Sequence, residues 1–322
     1  MKLASIERVK SIETHHNADS LEICTVLGYK AIVKKGQYKE GELVIFIQPD
    51  TVLPDAEWAA FYKSKSNRVK AIKLRGAWSM GIIESPSIIK YNTYLAEEGY
   101  EVSEILGIQK YEPPAPQDLS AKGNLPFGIF KTDESRYQSI DVPYGEIVDI
   151  SLKLDGQSGS YAYKNGEFVI CSRSLEIKPD CDNNYTKIAA KYDIKAKLGA
   201  FCEKHKVNLC LRGEITGASI QNFKVNPMAG TPLDFYLFNV LNLDTLKYEG
   251  KDSPFYFTKV AAELNLKSVP IIEESVVLTP ELIKRYDEEL EKIDGKYFEG
   301  IVAKRRNGES FKVISKCYDS LK

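Results

Sequence analysis

The sequence lacks the residue patterns that mark several common protein classes. Its six cysteines form no C-x-x-C pair and it has only three histidines, so neither a zinc site nor a disulfide framework is expected, and the cysteines should be reduced and mostly buried. No G-x-x-x-x-G-K-[ST] loop is present, which argues against a Walker-type ATPase. Any catalytic metal should therefore be held by oxygen ligands.

Long apolar segments and a large net charge are missing too. No stretch approaches the roughly 18 apolar residues of a membrane-spanning helix, and the N-terminus has no signal-peptide core, so we expect a cytoplasmic protein without membrane contact. We also expect a monomer. The net charge is −1, so a surface for nucleic acid must come from local patches. The length of 322 residues suits two domains.

Short strand patterns recur through the first third of the chain. They lie at residues 21–27, 30–33, 42–47 and 71–74 and are separated by glycine and proline, which predicts a small β-barrel. A basic stretch interleaved with Trp58, Phe61, Tyr62 and Trp78 follows the third strand; it consists of Lys63, Lys65, Arg68, Lys70, Lys73 and Arg75. Backbone tracking and base stacking require such residues, so the stretch predicts RNA contact, although a solvated face has the same composition.

A proline-rich segment predicts the domain boundary. Four prolines lie within residues 111–126, and they favour an extended spacer over regular structure. We therefore expect a β-barrel domain at residues 1–110, a linker at 111–126 and a second domain at 127–322.

The second domain combines predicted helices and strands. Helices are expected from the N-cap Thr132, over Asn183–Lys206 and over Glu281–Ile293. Strands are expected at residues 168–171, 207–215, 234–240, 300–303 and 311–314. This pattern predicts an α+β fold with a largely antiparallel sheet.

Residues 146–156 carry the most informative pattern in the chain. Ile150, Leu152 and Leu154 alternate with polar residues, so Lys153 and Asp155 should share the polar face of a strand. Gly156 follows, and a second strand pattern begins shortly afterwards, which predicts a β-hairpin whose lysine faces a cleft. Alone, Lys-x-Asp-Gly is common by chance.

Further motifs follow in order, and together they carry a resemblance. They are Lys153-Leu-Asp-Gly156, Ser172-Arg173, Arg212-Gly-Glu214, Phe235-Tyr-Leu-Phe238, Glu299-Gly-Ile-Val302 and Phe311-Lys312. Over residues 130–316 they resemble the nucleotidyltransferase motifs of DNA ligases, RNA ligases and mRNA capping enzymes, the covalent lysine-nucleotidyl superfamily. Ser172-Arg173 and Lys131–Arg136 look most like RNA ligases.

The N-terminal region resembles a second family. His16–Leu21, Gly41–Val44 and Ile72–Gly76 are similar to the OB-type tRNA-binding modules of phenylalanyl-tRNA synthetase β subunits. An OB-type barrel joined to an antiparallel-sheet nucleotidyltransferase domain, ATP-grasp-like in character, resembles the nick-sealing RNA ligases of family five. Only ten residues follow Lys312, so the C-terminal OB domain of DNA ligases and capping enzymes is not expected.

The resemblance implies roles for individual residues. It implies that Lys153 forms a lysyl-AMP adduct with ATP, and that Lys312 is catalytic. The implied metal-site residues, for Mg²⁺ or Mn²⁺, are Asp155, Glu214 and Glu299; the implied nucleotide-binding residues are Lys153, Asp155, Gly156, Arg173, Glu214, Phe238, Glu299 and Lys312. The last motif departs from K-x-K because Ile314 occupies its second position, and Lys316 is the expected substitute.

The chemistry of the lysine constrains its surroundings. An ordinary lysine has a pKa near 10.4 and is mostly protonated at neutral pH, whereas cationic neighbours or desolvation favour the neutral amine. We therefore expect Lys312 and the metal to lower the pKa of Lys153, and Asp155 and Glu299 to contact metal-bound waters and not Lys153 itself.

Other readings remain open at this stage. The function could be DNA nick sealing, guanylyl transfer from GTP, or RNA binding by a catalytically silent ligase scaffold. Phe238 also suits the core and Arg173 a surface ion pair, while Glu214 and Glu299 also suit purely structural roles. The run Lys304-Arg305-Arg306 predicts a solvated loop.

Overall fold

The structure is a computed structural model that describes residues 2–89, 97–111, 121–288, 292–293 and 296–322. The chain divides into two compact units, one of residues 1–114, 137–142 and 319–321, the other of residues 115–136, 143–318 and 322. Within the described residues, none of the helices combines the length and the apolar character needed to cross a membrane.

The first unit is built mainly from short antiparallel strands. Its strands are β1 (Ala4–Thr14), β2 (Leu21–Val26), β3 (Tyr29–Lys34), β4 (Leu43–Ile47), β5 (Thr51–Val52), β6 (Arg68–Val69), β7 (Ile72–Leu74), β8 (Ala77–Ser79), β9 (Ile82–Glu84) and β10 (Gln109–Lys110). Its helices are the single turns α1 (Ala60–Lys63) and α2 (Ser103–Leu106), with 3₁₀ segments at Glu57–Ala59, Pro86–Ile88 and Tyr137–Ser139.

Strand β1 organises this unit, and the sequence pattern did not predict it. The sheet order is β3-β2-β1-β4-β9, with β10-β5-β6 and β7-β8 as smaller sheets. The first half of β1 pairs with β4 and the second half with β2, and the register shifts between Val9 and Ser11. A bulge of this kind bends a strand, which lets one strand serve two sheet segments. The four predicted strands are present.

The second unit contains the larger sheets. Its strands are β11 (Ala121–Asn124), β12 (Ser135–Arg136), β13 (Ile147–Lys153), β14 (Gln157–Lys164), β15 (Glu167–Cys171), β16 (Leu175–Ile177), β17 (Leu209–Thr216), β18 (Asp234–Asn242), β19 (Lys247–Tyr248), β20 (Lys267–Ser268), β21 (Ile271–Val277), β22 (Lys292–Ile293), β23 (Lys296–Tyr297), β24 (Gly300–Arg305) and β25 (Ser310–Ile314). Its helices are α3 (Asn184–Lys191), α4 (Ile194–His205), α5 (Phe257–Glu263), α6 (Pro280–Glu288) and α7 (Lys316–Leu321), of which residues 319–321 are grouped with the first unit.

Two sheets of this unit position the candidate site. One has the order β11-β16-β15-β14-β17-β18-β19, with β20 beside β18, and the other has the order β12-β25-β24-β13-β21. Pairing is antiparallel except for β12 with β25 and β18 with β20. The α+β class with largely antiparallel sheets is confirmed.

Helices cover the eight-stranded sheet and bury its apolar face. Ile188 of α3, Leu198 of α4 and Val260 of α5 lie in one core cluster with Leu211 and Phe235 of the sheet. Asn183 caps α3 by accepting hydrogen bonds from the backbone amides of Tyr185 and Thr186, which satisfies donors that a helix start leaves unpaired. This core holds β14, β17 and β18 in place behind the site.

The predicted hairpin at residues 146–163 is wrong. Strands β13 and β14 exist, but β13 pairs with β24 and β21 whereas β14 pairs with β15 and β17. The chain therefore crosses from one sheet to the other at residues 154–156. Period-two patterning identifies a strand but carries no information about its partner.

The helix predictions need three corrections. Asn183–Lys206 is two helices, because Asp193 adopts a left-handed conformation with φ of 50°. No helix begins at Thr132; its hydroxyl instead bonds the Ser158 hydroxyl, and β12 follows. Of the helix predicted over Glu281–Ile293, residues 281–288 are helical, residues 289–291 lie outside the described part of the chain, and Lys292–Ile293 is a strand.

The expected linker is only partly covered by the structure. Residues 112–120 lie outside the described part of the chain. Residues 121–124 form β11, which pairs with β16, so this end of the predicted linker belongs to the larger sheet. The position of the domain boundary remains a prediction.

Candidate active site

Lys153 is placed by strand pairing at the end of β13. In the antiparallel ladder it lies opposite Gly300, the first residue of β24. Its ammonium donates a hydrogen bond to Glu299, with 2.6 Å between Nζ and Oε2. The lysine side chain is 23% exposed and that of Glu299 14%, so the ion pair is largely shielded from water.

The chain crossing after Lys153 brings a second glutamate to the site. The backbone amide of Gly156 donates to Oε1 of Glu214 over 3.0 Å, and Ser158 lies opposite Glu214 in the β14–β17 ladder. A Cβ at position 156 would overlap the carbonyl oxygen of Ile215 and come within 3.0 Å of the Glu214 side chain. Only glycine therefore allows this close approach.

The crossing is also fixed through its carbonyl groups. Asn226, which is fully buried, donates from Nδ2 to the carbonyl of Asp155 over 3.0 Å. Gln221 donates to the carbonyl of Gly156 over 3.3 Å. Neither residue is recognisable from the sequence, because both lie in a loop with no regular pattern.

The expectation that Glu299 would not contact Lys153 directly is wrong. Burial lowers the pKa of Lys153, but attraction to Glu299 and then Glu214, the hydrogen bond to Glu299, and attraction to Asp155 outweigh burial, so the pKa lies above its ordinary value. The ligand-free site thus holds a charged ammonium. Lys312 contributes to lowering the pKa of Glu299, and the expectation that Lys312 and the metal lower the pKa of Lys153 stays a prediction.

The three carboxylates differ in their electrostatic environment. Burial, together with repulsion from Glu299 and Asp155, raises the pKa of Glu214 to about 8 despite attraction to Lys153. Burial and repulsion from Glu299 raise the pKa of Asp155. The pKa of Glu299 is lowered, because burial is outweighed by attraction to Lys153 and Lys322.

This donor set fits a divalent cation. Burial is the main cause of the raised pKa of Glu214, and repulsion from Glu299 and Asp155 adds to it; a hard cation prefers such oxygen ligands. Within the described residues, no group of three histidine, cysteine, aspartate or glutamate side chains is placed to hold a metal ion directly. Contacts of these carboxylates with metal-bound waters stay a prediction.

Asp155 has two partners that the sequence analysis missed. Tyr318 donates from its hydroxyl to Oδ2 over 2.6 Å, and Lys322 lies 2.9 Å from Oδ1 and 2.7 Å from Oδ2. The available signal was Ser315 before a short apolar-periodic run: its hydroxyl caps α7 by accepting from the backbone amide of Tyr318.

Lys316 is located elsewhere. Strand β25 ends at Ile314, so Lys316 lies beyond the strand that carries Lys312. Lys316 is the first residue of α7 and pairs with the buried Asp287 over 2.6 Å and with Glu288 over 3.2 Å. These contacts give Lys316 a structural role in joining α6 to α7.

Two further basic candidates converge on one carboxylate. Lys312 Nζ lies 3.4 Å from Oδ1 of Asp133, and Arg173 Nη2 lies 3.6 Å from Oδ2. Arg173 also donates to the carbonyl of Thr132 over 3.3 Å. The buried Arg136 lies opposite Lys312 in the parallel ladder of β12 and β25. The segment around Asp133 therefore carries the counter-charge of both basic residues.

Phe238 occupies a β-bulge. Gly213 pairs with Leu237 and Arg212 with Asn239, which leaves Phe238 as the extra residue. The ring is half-buried and packs against the core cluster, so it contributes to the core and keeps an accessible part. Bulges often redirect a side chain beside an active site.

Lys304 departs from the predicted solvated loop Lys304-Arg305-Arg306, of which Arg306 is exposed and lies in a turn. Lys304 lies in β24, is buried, and donates to the Phe238 carbonyl over 2.7 Å and to Asn239 Oδ1 over 2.9 Å. Burial lowers its pKa to about 8 against attraction to Glu134 and Asp149. Lys304 therefore anchors the bulge.

The basic stretch of the first unit is divided between structural and exposed positions. Arg68 is engaged by Asp50 over 2.6 Å and lies 4.4 Å above the Tyr111 ring, and Lys63 pairs with Asp55 over 3.1 Å. Lys70 is half-buried. Exposed members of the stretch are Lys65, Lys73 and Arg75.

One exposed member of the stretch, Lys73, lies in the β7–β8 hairpin. Its ammonium is 5.5 Å from the centre of the Trp78 ring. Ile72 and Leu74 are also exposed there. The hairpin thus presents basic and apolar side chains together, which suits contact with nucleic acid.

The fold and site define a nucleotidyltransferase-type ligase domain that follows an OB-fold domain. Residues 3–86 match an OB-fold domain family, and residues 146–317, just over half of the chain, match the RNA ligase family. The chain belongs to the RNA ligase family, whose enzymes act on RNA. No curated protein sequence matches it.

Solved structures agree over almost the whole chain. An apo variant of Naegleria gruberi RNA ligase matches with a TM-score of 0.85 at 29% identity, covering 98% of this chain and 97% of that one. The same ligase with pyrophosphate matches with a TM-score of 0.84 at 29% identity, covering 99% and 98%. A variant with ATP and manganese matches with a TM-score of 0.84 at 29% identity, covering 98% of each chain.

Proposed function

We propose that this enzyme is an ATP-dependent RNA ligase that joins 3′-OH and 5′-phosphate ends through lysyl-AMP and RNA-adenylate intermediates, at nicks in a duplex. One observation carries the proposal: a shielded lysine, Lys153, contacts Glu299 beside Glu214 and Asp155. Naegleria gruberi ligase structures that contain ATP, AMP and manganese support ATP and a divalent metal as its cofactors.

Lys153 is the proposed nucleophile. Its amine attacks the α-phosphorus of ATP, so that an N–P bond forms and the bond to pyrophosphate breaks. The amine must first lose its proton, which the contact with Glu299 opposes in the ligand-free site. A divalent cation held through water by Asp155, Glu214 and Glu299 would neutralise these acids and so favour the neutral amine.

The basic residues would hold the triphosphate. Lys312 and Arg173 exchange their contacts with Asp133 for phosphate oxygens, and the accessible part of the Phe238 ring stacks on adenine. Because each step displaces a group from phosphorus, positioning and charge neutralisation supply most of the catalysis. Lys316 has no part in this scheme.

The remaining steps return the enzyme to its starting state. An oxygen of the RNA 5′-phosphate attacks the adenylyl phosphorus, the N–P bond breaks, and Lys153 regains its proton. The 3′-OH of the neighbouring strand then attacks the activated 5′-phosphate and AMP leaves. The exposed basic and apolar residues of the β7–β8 hairpin are proposed to contact the RNA backbone.

The setting of the reaction is also part of the proposal. Domains at residues 1–110 and 127–322 would bind RNA and catalyse ligation, respectively. We place the enzyme in the cytoplasm on its six free cysteines, which suit a reducing compartment, and we expect it to act as a monomer.

Sealing assays test this function. Nicked duplexes with a 5′-phosphate and a 3′-OH should be joined by wild type with ATP and Mg²⁺, fastest when the 3′-OH strand is RNA, and Lys153→Ala should be inactive. Faster sealing of all-DNA nicks would favour a DNA ligase. Absence of joining with RNA and DNA, despite binding to both, would favour a silent scaffold and contradict the proposal.

A further inference from the structure

Helix α7, which follows β25, and the residue directly after it bring two side chains onto one carboxylate. Tyr318 and Lys322 are four positions apart, which places them on the same side of a helix. Both contact Asp155, Tyr318 over 2.6 Å and Lys322 over 2.7 and 2.9 Å. Tyr318 is fully buried, and the side chains of Lys322 and Asp155 are only 11% and 6% exposed.

The cluster of Asp155, Tyr318 and Lys322 is costly in free energy, because two charges are shielded from water. Stability alone would not require such a cluster. A shielded ion pair must recover the hydration that both charges lose, and a well-packed apolar pair often does as well for stability. Here the pair forms on the residue two positions after the proposed nucleophile. The charge of Lys322 also reaches Glu299, the direct partner of Lys153.

The cluster supplies a positive charge that the last motif lacks. Ile314 is buried where the related motif has its second lysine. Lys316 points its ammonium at Asp287. Lys322, in contrast, contacts a carboxylate of the site, Asp155, although it lies outside the predicted motifs.

We propose that Lys322 is a positioning residue for the first step of the ligase reaction. Together with Tyr318 it orients the carboxylate of Asp155. It also supplies, beside the site carboxylates, a positive charge that Ile314 cannot supply. This inference rests on the proposed function, because it assigns Lys322 a role in forming the lysyl-AMP adduct. Lys322 acts through Asp155, without itself contacting the nucleotide.

The test compares Lys322→Met, Lys322→Arg and Tyr318→Phe with wild type in single-turnover adduct formation at saturating ATP and Mg²⁺. Loss of a group that orients a metal-site carboxylate typically costs 10- to 100-fold in metal affinity or activity, so Lys322→Met should slow the step by about that factor. Arginine keeps the charge and should restore at least about a third of the lost rate, and Tyr318→Phe should give a smaller loss.

Binding supplies a second readout that does not depend on turnover. In a Lys153→Met background, calorimetric titration should give ATP dissociation constants for Lys322→Met and the parent that agree within about threefold. Lys195→Met, at an exposed position on α4, is the matched control and should change neither quantity. Thermal unfolding should show that each variant is folded.

Each outcome supports or overturns the inference. A rate for Lys322→Met within about twofold of wild type, or equal losses for methionine and arginine, would overturn it. A loss of ATP affinity as large as the loss of rate would also overturn it, because Lys322 would then be a nucleotide ligand. If wild type forms no adduct, the proposed function itself fails and the inference fails with it.

Discussion

Lys153 Nζ lies 2.6 Å from Glu299 Oε2, a contact that follows from the pairing of Lys153 with Gly300 across β13 and β24. Gly300 permits the close approach of the two chains, because a Cβ there would overlap the carbonyl oxygen of Val313. The ladder thus fixes the proposed nucleophile against an acid that keeps it protonated. Activation must come from what binds next to the pair.

Replacing Glu299 tests how the acid controls the lysine. In Glu299→Gln the attraction that raises the pKa of Lys153 is weakened, so the neutral fraction of the amine should rise about tenfold for each unit by which the pKa falls. Acylation of Lys153 in ligand-free protein at pH 8–9, mapped by peptide mass spectrometry, should therefore be faster than in wild type. Adduct formation with ATP should nevertheless fall, because a metal-site carboxylate is lost.

The control for this change is Glu104→Gln, at an exposed position on α2. It should leave the acylation rate of Lys153 unchanged. Acylation of Lys153 in Glu299→Gln that is no faster than in wild type would show that the glutamate does not control this pKa, and would contradict the account.

Gly156→Ala should disable the crossing between the two sheets. The added methyl group would overlap the Ile215 carbonyl oxygen and press on Glu214, and such overpacking typically costs about 1–3 kcal/mol. We expect a lower urea midpoint and at least about a 100-fold slower adduct formation, since small displacements of reacting groups are costly. Gly123→Ala is the matched control, because a Cβ at Gly123 would meet nothing within 4 Å; equal effects at both positions would contradict the account.

Asp133→Asn should increase the affinity for ATP. Asp133 carries the counter-charge of Lys312 and Arg173 in the ligand-free site, so neutralising it removes a competitor for the triphosphate. The gain should be roughly three- to tenfold, the size expected of partly exposed ion pairs of about 1 kcal/mol. Calorimetry in the Lys153→Met background measures it, with Arg173→Ala expected to weaken binding. Weaker binding by Asp133→Asn would show that this carboxylate orients the basic residues for the nucleotide.

Lys304 should make part of the stability depend on pH. Its pKa is about 8 in the folded protein against an ordinary value of 10.5, so between these values the unfolded chain binds more protons and stability rises with pH. The unfolding free energy of wild type should therefore rise, relative to that of Lys304→Met, by on the order of 2 kcal/mol from pH 8 to 10. Urea unfolding followed by circular dichroism measures it.

The exposed Lys195 supplies the control for this prediction. Lys195→Met should show a difference from wild type that is constant with pH. A constant difference for Lys304→Met as well would mean that the Lys304 ammonium keeps its ordinary pKa despite burial beside Phe238.

The motif residues of the site were predictable from sequence because local patterns specify them. Lys153 and Glu299 lie at strand ends that alternation and glycine identify, and Glu214 lies on the polar face of a predicted strand. Their meeting required the sheet pairing, which is non-local: the crossing between β13 and β14 looks like a hairpin in sequence alone.

Other features depend on single residues that resist pattern reading. The left-handed Asp193 splits a continuous apolar stripe into α3 and α4. Thr132 has the composition of an N-cap yet bonds Ser158. Lys316 and Lys322 are both lysines after the last motif, and only the start of α7 at Lys316 decides which of them contacts Asp155.

One measurement tests the central claim most directly. The wild-type enzyme is incubated with Mg²⁺ and ATP labelled on the α-phosphate, denatured, separated by electrophoresis and digested for peptide mapping. The account predicts that label stays on the protein through an acid-labile bond to Lys153, and that Lys153→Ala carries none. An unlabelled wild type, or label retained by Lys153→Ala, would contradict it.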